Sequence, residues 1–191
     1  MGEEPFRYAL VAIDIFSKFL HVVPLRTKSP DETADAIDKV LTEIGHPRSV
    51  MVDAGGEFEK DFRERLKYFG IQTYVSRTPV VFAERAIRTL KEQILIRQNA
   101  LGDRDWTDYL EDVLDQYNST ERVTTKMAPE EAIKQSNADE VRENIQSKAK
   151  FNRKYPKLQV GDRVRIIRKA GKISEYKAIT PGAKLCTTLQ K

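Results

Sequence analysis

Apolar positions along this chain follow two periods, and the switches between them mark out its elements. From Phe6 to Ile15 apolar residues occupy both faces of an extended segment, the pattern of a central strand. Phe19–Leu25 makes a second strand, joined to the first through Ser17-Lys18 as a tight hairpin. The period then lengthens: Ala34, Ile37, Val40, Leu41 and Ile44 recur at helical spacing. Ser29 can cap this helix, Pro30 suits its first turn, Asp31 and Glu32 favour its positive end, and Gly45 stops it. Residues 48–52 read as a short buried strand and 71–75 as another. Between them a helix over 59–69 turns Phe62, Leu66 and Phe69 inward and closes at Gly70. Helical patterns follow over 83–101 and from Asp105, the latter with a stripe of Trp106, Tyr109, Leu110, Val113, Leu114 and Tyr117 that ends at Asn118-Ser119-Thr120. Trp106 reads as a core anchor rather than a platform for a base. A short helix starting at Pro129 and a polar helix over 138–155 come next. From Leu158 to Lys169 charged and apolar residues alternate as in a half-exposed strand.

Two carboxylates fall where this pattern places chemistry. Asp53 stands where strand 48–52 runs out into a Gly-rich turn, the edge at which α/β sheets carry their sites. Glu84 opens the next long helix after a Pro-containing loop. A strand-tip acid and a first-turn acid can share a divalent cation, because hard cations take oxygen ligands. An acid at a helix N-terminus is also favourable without any metal. Gly55 and Gly56 permit backbone angles and a close approach that a side chain would forbid, and also suit a plain tight turn.

The context of those acids is more specific than the acids themselves. Asp53-x-Gly55-x-Glu57-Phe58, then Glu84-Arg85-x-x-Arg88-Thr89-Leu90-Lys91, with Asp14-x-Phe16-Ser17-Lys18 upstream, resembles the integrase catalytic core of retroelements. The nearer likeness is to integrases of LTR retrotransposons and of large self-synthesising DNA transposons, over roughly Phe6 to Lys169. It implies an RNase H-like α/β fold, a mixed sheet flanked by helices, and DNA strand transfer by an Asp-Asp-Glu triad with Mg2+ or Mn2+. Carried over by position, Asp53 and Glu84 are the catalytic and metal-binding acids. The family's first aspartate sits on a strand that should precede Phe6, so the sheet is expected to lack its first strand and the triad to be incomplete. Asp14 is not the family's catalytic residue; it is a turn-capping aspartate or, failing that, a third ligand. The loop before Glu84 is about five residues short of the family pattern, and Ile87 stands where the family has Asn. The likeness also implies DNA as partner, self-association and, in a eukaryotic host, a nuclear location.

Composition adds one division. Residues 148–191 carry 13 Lys and Arg against two acids, a net +11, whereas the remainder carries −7. A basic terminus beside an acidic body is the footprint of a nucleic-acid contact or of a solvated tail. Arg85, Arg88 and Lys91 on the Glu84 helix are candidate phosphate ligands, as are Lys148, Lys150, Arg153 and Lys154 further on. Arg163, Arg165, Arg168 and Lys169 lie on the alternating segment, which resembles the opening strand of the SH3-like barrel that follows many integrase cores. The organisation expected is a core over 6–120, a helical connector over 121–157 and a basic partial SH3-like segment over 158–191. Two histidines and one cysteine cannot supply a His-His-Cys-Cys zinc module, and a lone His21 beside a strand reads as a packed imidazole. No apolar run approaches the ~18 residues that span a bilayer.

Overall fold

The computed structural model describes residues 5–76, 80–102 and 105–152, with side chains to residue 149. Its strands form two separate ribbons. β1 (Tyr8–Ile13) and β2 (Leu20–Leu25) pair antiparallel, with Tyr8 opposite Leu25 and Ile13 opposite Leu20. β3 (Ser49–Val52) and β4 (Gln72–Val75) pair parallel, with Ser49 opposite Gln72. Around them lie α1 (Pro30–Ile44), α2 (Asp61–Tyr68), α3 (Val81–Leu101), α4 (Leu110–Ser119), α5 (Pro129–Ala132) and α6 (Ala138–Asn152).

Side-chain alternation in β1 and β2 decides the layering, because successive residues face opposite sides of a strand. Leu10, Val23 and Leu25 join Ile37, Val40 and Leu41 of α1, Val52 of β3, and Phe62 and Leu66 of α2 in one apolar cluster. Leu20 and Val22 join Ala86, Leu90 and Ile94 of α3 and Leu110 and Val113 of α4 in a second cluster on the other face. The first ribbon is thus covered on both sides, and Trp106 packs beside the second cluster while its indole N–H donates to the Phe6 carbonyl at 3.0 Å. α1 folds back along β2 and brings Glu43 into electrostatic reach of His21 at the strand's start.

Several local features differ from the sequence reading. β1 is not flanked on both sides, since it pairs only with β2 and its second edge is bare among the described residues. The β1–β2 connection is no two-residue hairpin but a wider turn from Asp14 to Phe19. In it the Asp14 N–H donates to the Phe19 carbonyl at 2.9 Å and Lys18 adopts a positive φ of 70°. Ser29 makes no side-chain cap; instead its carbonyl accepts from the Thr33 N–H and hydroxyl. Gly45 and Gly70 do end their helices with φ of 85° and 71°, which only a residue without a Cβ adopts cheaply. Gly55 and Gly56 do not need that freedom: neither has a positive φ, and a Cβ on Gly55 would meet only the carboxylate of Glu57. The alternating segment 158–169, with Arg163, Arg165, Arg168 and Lys169, lies outside the described residues, as do Arg153, Lys154 and the side chain of Lys150.

Candidate active site

Between the two ribbons the structure encloses a cavity of about 840 Å3. Its walls include every residue from Tyr8 to Ile15 and every residue from Arg48 to Ala54. A run of consecutive residues, rather than alternate ones, means that strand edges and not strand faces line the space. Ile37, Val40, Leu41 and Phe62 close it from the α1 side, and Ala83 and Ile87 from α3.

Asp53, Glu84 and Asp14 all border this one cavity, but in different states. Asp53 follows β3, is exposed, and makes no hydrogen bond or ion pair among the described residues. Glu84 lies in the first turn of α3, is exposed and is likewise unengaged through its side chain. Its backbone N–H donates to the Val80 carbonyl at 3.0 Å, so the helix itself fixes the position. Asp14 is buried, with 6% of its surface exposed, and both of its carboxylate oxygens accept hydrogen bonds. One oxygen accepts from the Phe16 N–H at 3.2 Å; the other accepts from the Ser17 N–H at 3.0 Å and the Ser17 hydroxyl at 2.5 Å. Asp14 is a turn-capping residue, with both oxygens engaged inside its own turn. No three His, Cys, Asp or Glu side chains among the described residues are gathered as a metal site.

Arg85, Arg88 and Lys91 are exposed along α3, with no ion pair among the described residues, and extend the cationic surface away from Glu84. Lys148 is differently placed, half-buried with its ammonium donating to the Thr124 hydroxyl at 3.3 Å, which ties α6 to the loop before α5. His21 is half-buried among the strands, and burial lowers its pKa against the opposing pull of Glu43. No ligating partner stands beside it.

Two residues that the sequence did not single out shape the surroundings. Phe82 places its ring 4.6 Å from the Lys18 ammonium, pinning the start of α3 to the β1–β2 turn. Burial pushes the Lys18 pKa down, with Asp14 opposing and Lys148 adding to the shift. Asn118 at the end of α4 holds both the N–H and the carbonyl of Leu20, each at 2.9 Å. The only signal for Asn118 was its place at a helix end, and its partner lies 98 residues away.

Helices packed on both faces of a β1–β2 ribbon, beside a second, parallel ribbon, are an RNase H-like arrangement, the fold that integrase catalytic cores share. The HTLV-2 integrase catalytic core domain in complex with magnesium superposes with a TM-score of 0.58 at 17% identity, over 65% of this chain and 82% of that one. A simian T-cell lymphotropic virus intasome in complex with the PP2A regulatory subunit B56 gamma gives a TM-score of 0.61 at 12% identity, over 85% of this chain and 54% of that one. In sequence, residues 1–79 match the family described as Integrase core domain. A putative uncharacterized transposon-derived protein of Caenorhabditis elegans is 28% identical over 172 residues, 88% of this chain and 57% of the relative. The human Gypsy retrotransposon integrase-like protein 1 is 30% identical over 126 residues, 64% of this chain and 24% of the relative. The chain thus spans little more than half of the first relative and about a quarter of the second. Residues 1–79 are thus similar to integrase core domains, and the relatives matched are transposon- or retrotransposon-derived proteins.

Proposed function

We propose that the chain acts in DNA integration as the core of a metal-dependent strand-transfer protein, with Asp53 and Glu84 as its acidic pair. The observation that carries this reading is that both carboxylates are exposed, unengaged and on the rim of one cavity. Mg2+ is held in many phosphoryl-transfer sites by one or two carboxylates completed by water and substrate phosphate oxygens, and each of the two free acids bordering the cavity offers such oxygens. When bound there, a divalent cation supplies charge stabilisation at a phosphodiester and a more acidic water or 3′-hydroxyl. Two closely spaced cations need further oxygen ligands than the described residues gather. The chain's own contribution is to position and orient. β3 and the first turn of α3 hold the acids, and Arg85, Arg88 and Lys91 bind the sugar-phosphate backbone without reading its sequence. Self-association belongs to the same proposal, supported by the trimeric and dimeric forms of the HTLV-2 core. A nuclear location in a eukaryotic host is part of it as well.

The test is strand transfer of a labelled duplex end into plasmid DNA with Mg2+ or Mn2+. Activity that disappears in Asp53→Asn and Glu84→Gln, with DNA affinity unchanged, supports the acidic pair. Activity that survives Asp53→Asn contradicts it. A second reading is a DNA-binding or assembly protein without catalysis, for which the exposed Arg85, Arg88 and Lys91 along α3 offer phosphate contacts. It requires DNA affinity that falls steeply with salt, as counterion release demands, together with no turnover in the unaltered chain.

A further inference from the structure

The stretch Asp14-x-Phe16-Ser17-Lys18 has no part in the acidic pair, yet its turn is closely bonded. The Asp14 carboxylate accepts from the Phe16 and Ser17 N–H groups and from the Ser17 hydroxyl, and that hydroxyl in turn accepts from the Phe19 N–H at 3.1 Å. Lys18 is fixed at both of its ends. Its N–H donates to the Asp14 carbonyl at 2.8 Å, its backbone takes a φ of 70°, and its ammonium donates to the Ile15 carbonyl. The ammonium so held lies 4.6 Å from the centre of the Phe82 ring, and both side chains are partly buried. Partial desolvation strengthens the attraction of a cation to a ring face.

Phe82 stands two residues before Glu84 in the first turn of α3. That turn lacks the usual anchors of a helix start. Val80 at its N-cap makes no side-chain cap, Val81 is 52% exposed, and no buried residue of the helix precedes Ala86. Ala86, Leu90 and Ile94 fix the axis of α3, but an uncapped first turn frays independently of them. We propose that Lys18 is a positioning residue for Glu84: its cation on the Phe82 ring ties the first turn of α3 to the β1–β2 turn and so holds Glu84 at the cavity. The proposal rests on Glu84 belonging to the acidic pair. Lys18 acts through Phe82 and is not itself a phosphate ligand. Asp14 then contributes at one remove, by building the turn that aims Lys18.

The experiment is residue-resolved amide exchange of the full 191-residue chain, without DNA or metal, in the unaltered protein, Lys18→Met, Lys18→Arg and Phe82→Leu. Lys18→Met keeps the apolar stem and removes the charge, whereas Lys18→Arg keeps a cation for the ring. The expected result is about tenfold faster exchange at Glu84 and Arg85 in Lys18→Met and Phe82→Leu, with Leu90 and Ile94 unchanged and Lys18→Arg restored. In strand transfer with Mg2+, kcat falls about tenfold in Lys18→Met with KM for DNA unchanged, and Lys18→Arg recovers it. Unchanged exchange at Glu84, an equal rise at Leu90 and Ile94, or no recovery in Lys18→Arg overturns the proposal. So does an unchanged kcat, with a raised KM marking Lys18 as a phosphate ligand instead. If Lys18→Met does not fold, Phe82→Leu carries the same comparison. An unaltered chain without strand transfer contradicts the acidic pair, and the exchange result then decides the tie by itself.

Discussion

Asp14 and Asp53 both follow strands that border one cavity, yet they have opposite fates. Asp14 is surrounded by donors of its own turn, two backbone N–H groups and the Ser17 hydroxyl, and is buried with them. Asp53 enters a turn that offers it nothing and stays exposed. A carboxylate that folding has already satisfied cannot give its lone pairs to a cation without losing the turn it holds. One left unsatisfied at a strand tip costs the fold little to redirect. The difference separates an aspartate that the fold has used from one that it leaves available.

The contrast breaks most visibly under substitution. Asp14→Ala strands the Ser17 and Phe16 donors in a buried turn and is expected to cost about 3 kcal/mol, since hydrogen bonds to a charged group contribute ~1.5–3 kcal/mol each. That corresponds to a fall in Tm of roughly 6–12 °C for a chain of this size, measured by calorimetry. Asp53→Asn is expected to shift stability by no more than ~0.5 kcal/mol, as exposed sites do. Equal losses at the two positions would erase the distinction.

The two outer flanks of the β1–β2 ribbon sharpen it next. Leu20 faces away from β1, and Asn118 satisfies both of its main-chain groups. Val11 borders the cavity, and no such side-chain partner holds its main chain among the described residues. Asn118→Ala should therefore cost about 2 kcal/mol, the scale of leaving a buried pair unsatisfied. Exchange of the Leu20 amide should rise with it. Unchanged Leu20 exchange in a folded variant would contradict the role given to Asn118.

The smallest effect concerns His21, whose native pKa is lowered by burial below its ordinary value of 6.5. The unfolded state then binds the proton more readily, so the neutral imidazole's contribution is complete above about 6.5 and declines as pH falls from there towards the lowered native value. Denaturant titrations at pH 7 and pH 5.5 should show a stability loss that His21→Gln reduces. A loss of the same size in the variant would assign the slope to other groups.

Helix and strand positions were legible because burial writes a period into the sequence. Ala34, Ile37, Val40 and Leu41 are buried as the 3.6-residue spacing requires, and Gly45 and Gly70 stand at helix ends with positive φ. Val11, Ile13 and Val23 illustrate the limit. Their apolar runs state that both faces are covered, but not whether an edge is paired, since edge pairing engages main chain that every residue carries. Val23 is buried and Val11 and Ile13 are half-buried, yet the β1 edge is bare among the described residues. The Asp14–Phe19 turn was misjudged for a related reason: Ser17 is held by a side chain three residues back, not by the short-range rule for two-residue hairpins. The Asn118–Leu20 contact spans 98 residues and leaves no local trace. Asp53 and Glu84 were named from motif spelling; their shared cavity required coordinates.

Paramagnetic broadening by Mn2+ at low occupancy, read on backbone and side-chain NMR signals of the full chain, tests the division between the two aspartates directly. Selective loss of signal at Asp53 and Glu84, with Asp14 and Ser17 spared, is the expected result. Broadening centred on Asp14, or none at Asp53, would contradict it.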